Sequence, residues 1–72
     1  MTNINEKEVL LCMQWLRTQK LIKTLISSSY SLKHVVERLH NTYISNESFI
    51  EAVKLLGIPY KEHGSNIKIG IK

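Results

Sequence analysis

The sequence predicts a mainly α domain closed by a C-terminal β-hairpin, and three observations carry that expectation. Helical apolar spacing runs through three stretches ahead of Pro59. Cap residues punctuate those stretches at Asn5, Ser31 and Ser45. After Pro59 the apolar period falls from 3.6 to 2. A chain of 72 residues makes a single domain, 1–72, and buries only about 60% of the surface its unfolded form exposes. A core of that size supplies roughly 3 to 5 kcal/mol and commonly leans on a disulfide, a metal or a partner.

The first helix starts after Asn5, whose side chain can accept from free backbone N–H groups while Glu8, three residues on, reaches back toward the cap. Along "VLLCMQWL", Val9, Cys12, Met13 and Leu16 share one face, and Leu10, Leu11 and Trp15 fall outside it. "RTQKLIKTLIS" places Leu21, Ile22, Leu25 and Ile26 at helical intervals, either continuing this helix or forming a short further turn, until the serines at 27–29 end it. Ser31 is the expected second cap, with Tyr30 and Val35 as the apolar pair across the helix start and Leu32, Val35, Val36 and Leu39 as the buried stripe. That helix ends near Asn41. Ser45 caps the third, Ile44 and Phe49 repeat the apolar pair, and Phe49, Ile50, Val53 and Leu56 supply the core face. Gly57 is a left-handed stop with Pro59 close behind. "YKEHGSNIKIGIK" then reads as a strand at Tyr60–Glu62, a turn at Gly64–Asn66 and a strand with Ile67, Ile69 and Ile71 on one face and Lys68, Gly70 and Lys72 on the other. The arrangement that buries these stripes together is a winged helix-turn-helix-like three-helix core with the hairpin beside the third helix.

The net charge of +4 divides into +2 over residues 1–29, +1 over 30–45, −1 over 46–58 and +2 over 59–72. In a helix-turn-helix the third helix enters the major groove and its first residues meet base edges. Here those positions carry Glu47 and Glu51, which oppose the phosphates and have no Arg or Lys beside them to read a base. The nucleic-acid candidates are instead Lys61, Lys68 and Lys72 on the hairpin, suited to phosphate rather than to sequence. The same lysines also serve to keep a sheet edge soluble and unpaired.

Catalysis by this chain alone is not expected. It holds no paired-carboxylate site, no Gly-rich phosphate loop and no Ser-His-Asp pattern. His34 and His40 lie about 120° off a common helical face. No Cys pair or HExxH motif joins them, so neither a metal nor another cofactor is expected. Cys12, the sole cysteine, sits in an apolar run and reads as a buried structural thiol in a reducing compartment. With no apolar run near the roughly 20 residues that span a bilayer, and with Met1 to Glu8 too polar for a signal peptide, the expectation is a soluble cytoplasmic protein. The first helix is apolar almost all round, more than a three-helix core needs. Leu10, Leu11 and Trp15 are therefore the candidate partner-binding residues, the alternative being that Trp15 lies wholly in the core.

"YSLKHVVERL", then "YISNESFIEAVKLLGIPYK", then "SN" before a closing strand, resembles a family of short proteins carried by bacterial mobile elements. With "QWLRTQKLIKT" in front, the chain is most similar to the small middle proteins of the replication operons of staphylococcal cassette chromosomes. The segment between Lys23 and Tyr30 departs from that pattern in being richer in serine. The resemblance implies a partner: an A-family-like DNA polymerase of the same operon, bound tightly and enabled to start primers de novo, beside an element-encoded helicase. Two functional classes follow. One is a non-catalytic accessory subunit of that polymerase, with the basic wing touching template DNA. The other is a small, dimeric winged-helix DNA-binding regulator of a mobile element.

Overall fold

The structure, a computed structural model, describes residues 4–71. Three helices, α1 (Glu6–Arg17), α2 (Ser29–His40) and α3 (Asn46–Leu55), enclose one core. A three-stranded antiparallel sheet of β1 (Ser27–Ser28), β2 (Lys61–His63) and β3 (Asn66–Ile69), in the order β1-β3-β2, lies beside them as the wing.

Local chemistry accounts for most boundaries. The Asn5 side chain accepts from the N–H groups of Lys7 (2.9 Å) and Glu8 (3.4 Å), and the Ser45 hydroxyl accepts from Ser48 N–H (3.2 Å). Gly57, at φ 70°, ends α3: its own N–H bonds the Lys54 carbonyl at 3.1 Å and that of Ile58 bonds Val53 at 3.2 Å. That pair of bonds is a Schellman stop, which a residue with a Cβ enters at a cost. The hairpin pairs Lys61 with Lys68, Glu62 with Ile67 and His63 with Asn66 around a two-residue loop led by Gly64 at φ 64°. β2 falls one residue later than expected, and β3 ends at Ile69, short of the expected Ile71.

The segment after α1 departs from expectation. Residues 20–26 form neither a continuation of α1 nor a helical turn. They run past the end of the wing, where Leu21 bridges Ile71 and Ile22 N–H bonds the Gly70 carbonyl at 3.0 Å. Ser27 and Ser28 then pair with Ile69 and Lys68 as a third strand. Gly70 makes this possible, because a Cβ there would overlap the Ile22 carbonyl oxygen and lie 2.7 Å from that of Thr24. An apolar pair every four residues suits a helix, yet in extended chain one member of each pair can be partly covered equally well, as Ile22 and Leu25 are.

The second helix is also entered differently. Ser28, not Ser31, caps α2, accepting from Tyr30 N–H at 3.3 Å, so Tyr30 falls inside the helix and the expected Tyr30–Val35 pair does not form. Of the expected stripe only Val36 is fully buried and Leu32 partly; Val35 and Leu39 are exposed, Leu39 by 63%. Ser29 and Lys33 are buried with Val36 instead. In α3, Phe49 and Val53 are sealed as expected, joined by Ser48 and Ala52, while Ile50 and Leu56 pack at the margin.

Candidate partner-binding surface

The residues that make the turn between α2 and α3 hold it from several sides. Lys33, 7% exposed, donates from Nζ to the Ile44 carbonyl at 3.1 Å, lies 3.5 Å from Glu37 Oε2, and sits 5.4 Å from the ring centroids of both Tyr30 and Tyr43. Glu37 accepts the Ile44 N–H at 2.9 Å and meets His34 Nδ1 at 2.8 Å. From α1, Glu8 accepts the next N–H, that of Ser45, at 2.9 Å. It does not reach back to its own cap, because the Asn5 N–H instead donates to Ser48 Oγ at 3.0 Å. The Ile44 N–H bond, with help from Lys33 and His34, lowers the Glu37 pKa against the opposing effect of burial. The two blocks "LKH" and "YIS" are thus the two halves of one clasp, and the tyrosines serve as its walls.

The start of α3 is equally occupied. The Asn46 side chain accepts from Ser29 Oγ at 3.0 Å and donates to the Ser65 carbonyl (3.2 Å) and Asn66 Oδ1 (2.7 Å), and Ser29 Oγ also accepts from Ile67 N–H at 3.1 Å. These bonds weld the helix N-terminus to the wing. The serine run at 27–29 supplies Ser28 as a cap and Ser29 as the hub of this weld. A reading helix needs its first turn open to base edges; here Asn46 is spent on the wing, and Glu47, the exposed side chain of that turn, is acidic.

The three residues expected to bind a partner are not brought together. Leu11 and Trp15 are half-buried on one flank of α1 and pack against the core, with Trp15 tilted against Phe49 at 6.3 Å between ring centroids. Leu10 is 57% exposed on the opposite flank. It borders a surface trough of about 430 Å³ between α1 and α3, with Ile4, Val9 and Met13 on its own side and Leu55 across from it. Glu6 and Glu51 complete the lining. Sequence reasoning singled out Glu51 as an outward-facing acid but passed over Ile4, Glu6 and Leu55 as parts of this surface. The signal was present on α3, where Glu47, Glu51 and Leu55 follow at four-residue intervals along one side.

On the wing, Lys61 and Lys68 stand directly opposite one another, exposed and half-exposed, on the face away from Ile67 and Ile69. Like charges in that position disfavour pairing of the strands unless an anion lies over them. Lys72 lies outside the described residues. Cys12 is fully buried, and burial, with Glu8 nearby, pushes its pKa up to about 12. Among the described residues no cluster of His, Cys, Asp or Glu could hold a metal ion, and no helix is long and apolar enough to cross a membrane. No family model, curated protein or solved structure matches the chain.

Proposed function

We propose that this chain is a non-catalytic accessory subunit of a mobile-element DNA polymerase of the A-family-like kind, and that it enables that polymerase to start primers de novo during replication of the element. The observation that carries the reading is the face of α1. On one flank of it a chain this small leaves Leu10 in solvent beside the exposed Ile4 and Leu55. Apolar surface concentrated in this way is what a protein interface covers. The resemblance of the "LKH" and "YISN" blocks to the replication-operon proteins supplies the class of partner. On this reading Glu47 and Glu51 are no handicap, because α3 is scaffold and protein-facing surface, and Glu47 near its N-terminus favours the helix dipole.

The test is co-purification of the chain with the polymerase of its operon, followed by primer synthesis on single-stranded template with each protein alone and with both. A stable complex, and priming only when both are present, is the expected result. Absence of association together with priming by the polymerase alone would remove the reading.

The opposed Lys61 and Lys68 favour a second reading, a small winged-helix DNA-binding regulator. It requires the isolated chain to prefer some duplex sequences of its operon over others at physiological salt. Lys61→Glu and Lys68→Glu should then each flatten the log-log salt dependence by about one unit. Equal affinity for every duplex offered argues against it.

A further inference from the structure

Six acidic residues are present in this basic chain, and their placement is uneven. Glu8 and Glu37 hold the Ser45 and Ile44 N–H groups of the turn, and Glu62 lies on the hairpin. The other three are Glu6 and Glu51, which line the α1–α3 trough, and Glu47, one turn ahead of Glu51 on the same side of α3. The trough's own apolar side chains include the most exposed ones of both helices: Leu10 at 57% and Leu55 at 59%, with Ile4 at 41%. Basic side chains stay out of it. Lys54 turns to the Tyr60 ring, 6.0 Å from its centroid, and Arg17 lies about three turns beyond Glu6, outside the lining.

We infer that this trough receives an amphipathic helix of the protein partner, its apolar stripe seated on Leu10 and Leu55 and flanked by Lys or Arg facing Glu6 and Glu51. The inference rests on the reading of the chain as a polymerase subunit and specifies which face is used and what the polymerase segment presents. Apolar side chains in a helix-lined groove give affinity, and acids beside them select a basic partner and repel nucleic acid. The wing of a second copy is a poor occupant, because its lysines lie on one face of the sheet while Ile67 and Ile69 are sealed in the core on the other. The exposed Leu39, next to Arg38 on α2, offers a better one. Docking it into the trough of another copy would be a head-to-tail contact, which tends to open chains rather than a closed dimer.

The test uses the full chain co-expressed with the polymerase of its operon, with affinity measured on the purified proteins. Leu10→Asp and Leu55→Asp alter exposed positions and should each weaken the complex about tenfold or more. Glu6→Lys with Glu51→Lys should weaken it several-fold at low salt and much less near 1 M. Benzoylphenylalanine at position 55 should cross-link to a polymerase peptide that contains Lys or Arg. A complex of undiminished affinity in all of these variants overturns the trough and leaves the polymerase reading standing, whereas no complex with the unaltered chain overturns both. Self-association of the isolated chain by light scattering, lost in both Leu10→Asp and Leu39→Asp, would make a second copy the occupant and overturn the inference.

Discussion

Replacing Lys33 by methionine keeps most of the side chain's length and removes its charge, so it tests whether the clasp holds the α2–α3 turn. The ammonium bond to the Ile44 carbonyl is one with a charged donor, worth about 1.5 to 3 kcal/mol. The two tyrosine faces, each 5.4 Å away, add roughly 0.5 to 1 kcal/mol apiece. Relief of the desolvated charge offsets part of this. A net loss of about 2 kcal/mol is expected, a large share of what a core of this size supplies. For 72 residues the unfolding entropy is about 0.15 kcal/mol per kelvin, so the thermal midpoint should fall by about 13 °C, followed by circular dichroism at neutral pH. The double variant Lys33→Met with Glu37→Leu sharpens the test. If Lys33 and Glu37 were merely an ion pair, replacing both by apolar groups would restore stability. The structure requires the opposite, because Ile44 is 0% exposed and both its N–H and its C=O would lose their partners. A double variant as stable as the unaltered protein would refute the reasoning.

Three further outcomes are expected. Gly70→Ala should cost about 1 to 3 kcal/mol in denaturant titration and speed hydrogen exchange at Ile22, because its Cβ displaces the backbone that crosses there; an unchanged midpoint would contradict the close approach. Glu37 has a lowered pKa, so the stability it contributes is present above the ordinary carboxylate value and is lost as pH falls through the folded-state value. Melting between pH 6 and pH 2 should therefore show an acid limb that Glu37→Gln flattens. Cys12 should resist thiol reagents at pH 8 and react at the rate of global unfolding, so prompt labelling of the native chain would be inconsistent with a sealed thiol whose pKa is about 12.

The candidate surface was legible only in part. That α1 carries more apolar side chain than its core face needs is visible in "VLLCMQWL", and Leu10 does remain in solvent. Grouping it with Leu11 and Trp15 did not survive the fold. Leu11 and Trp15 lie on one side of the buried Val9–Cys12–Leu16 face and Leu10 on the other, so the core divides them into separate flanks. Which apolar neighbours Leu10 acquires depends on α3, which brings Leu55 and Glu51 against it from some forty residues away. The clasp was hidden in a similar way. Lys33 and Glu37 stand four residues apart, a spacing that usually marks an exposed helical pair. Here the lysine is buried because the Ile44 carbonyl and two tyrosine rings receive it.

The sequence by itself determined the caps at Asn5 and Ser45, the stop at Gly57, and the alternation that turns Ile67 and Ile69 inward. Each of these is settled by backbone groups or side-chain alternation within a few residues, where geometry leaves few choices. Only the tertiary structure decided the extended course of residues 20–26, the buried face of α2 and the destination of Glu8. Those depend on partners distant in the chain: the missing side chain at Gly70, the polar groups of Ile44, and the N–H of Ser45. An apolar stripe shows that something will be buried; what lies opposite decides which side it is.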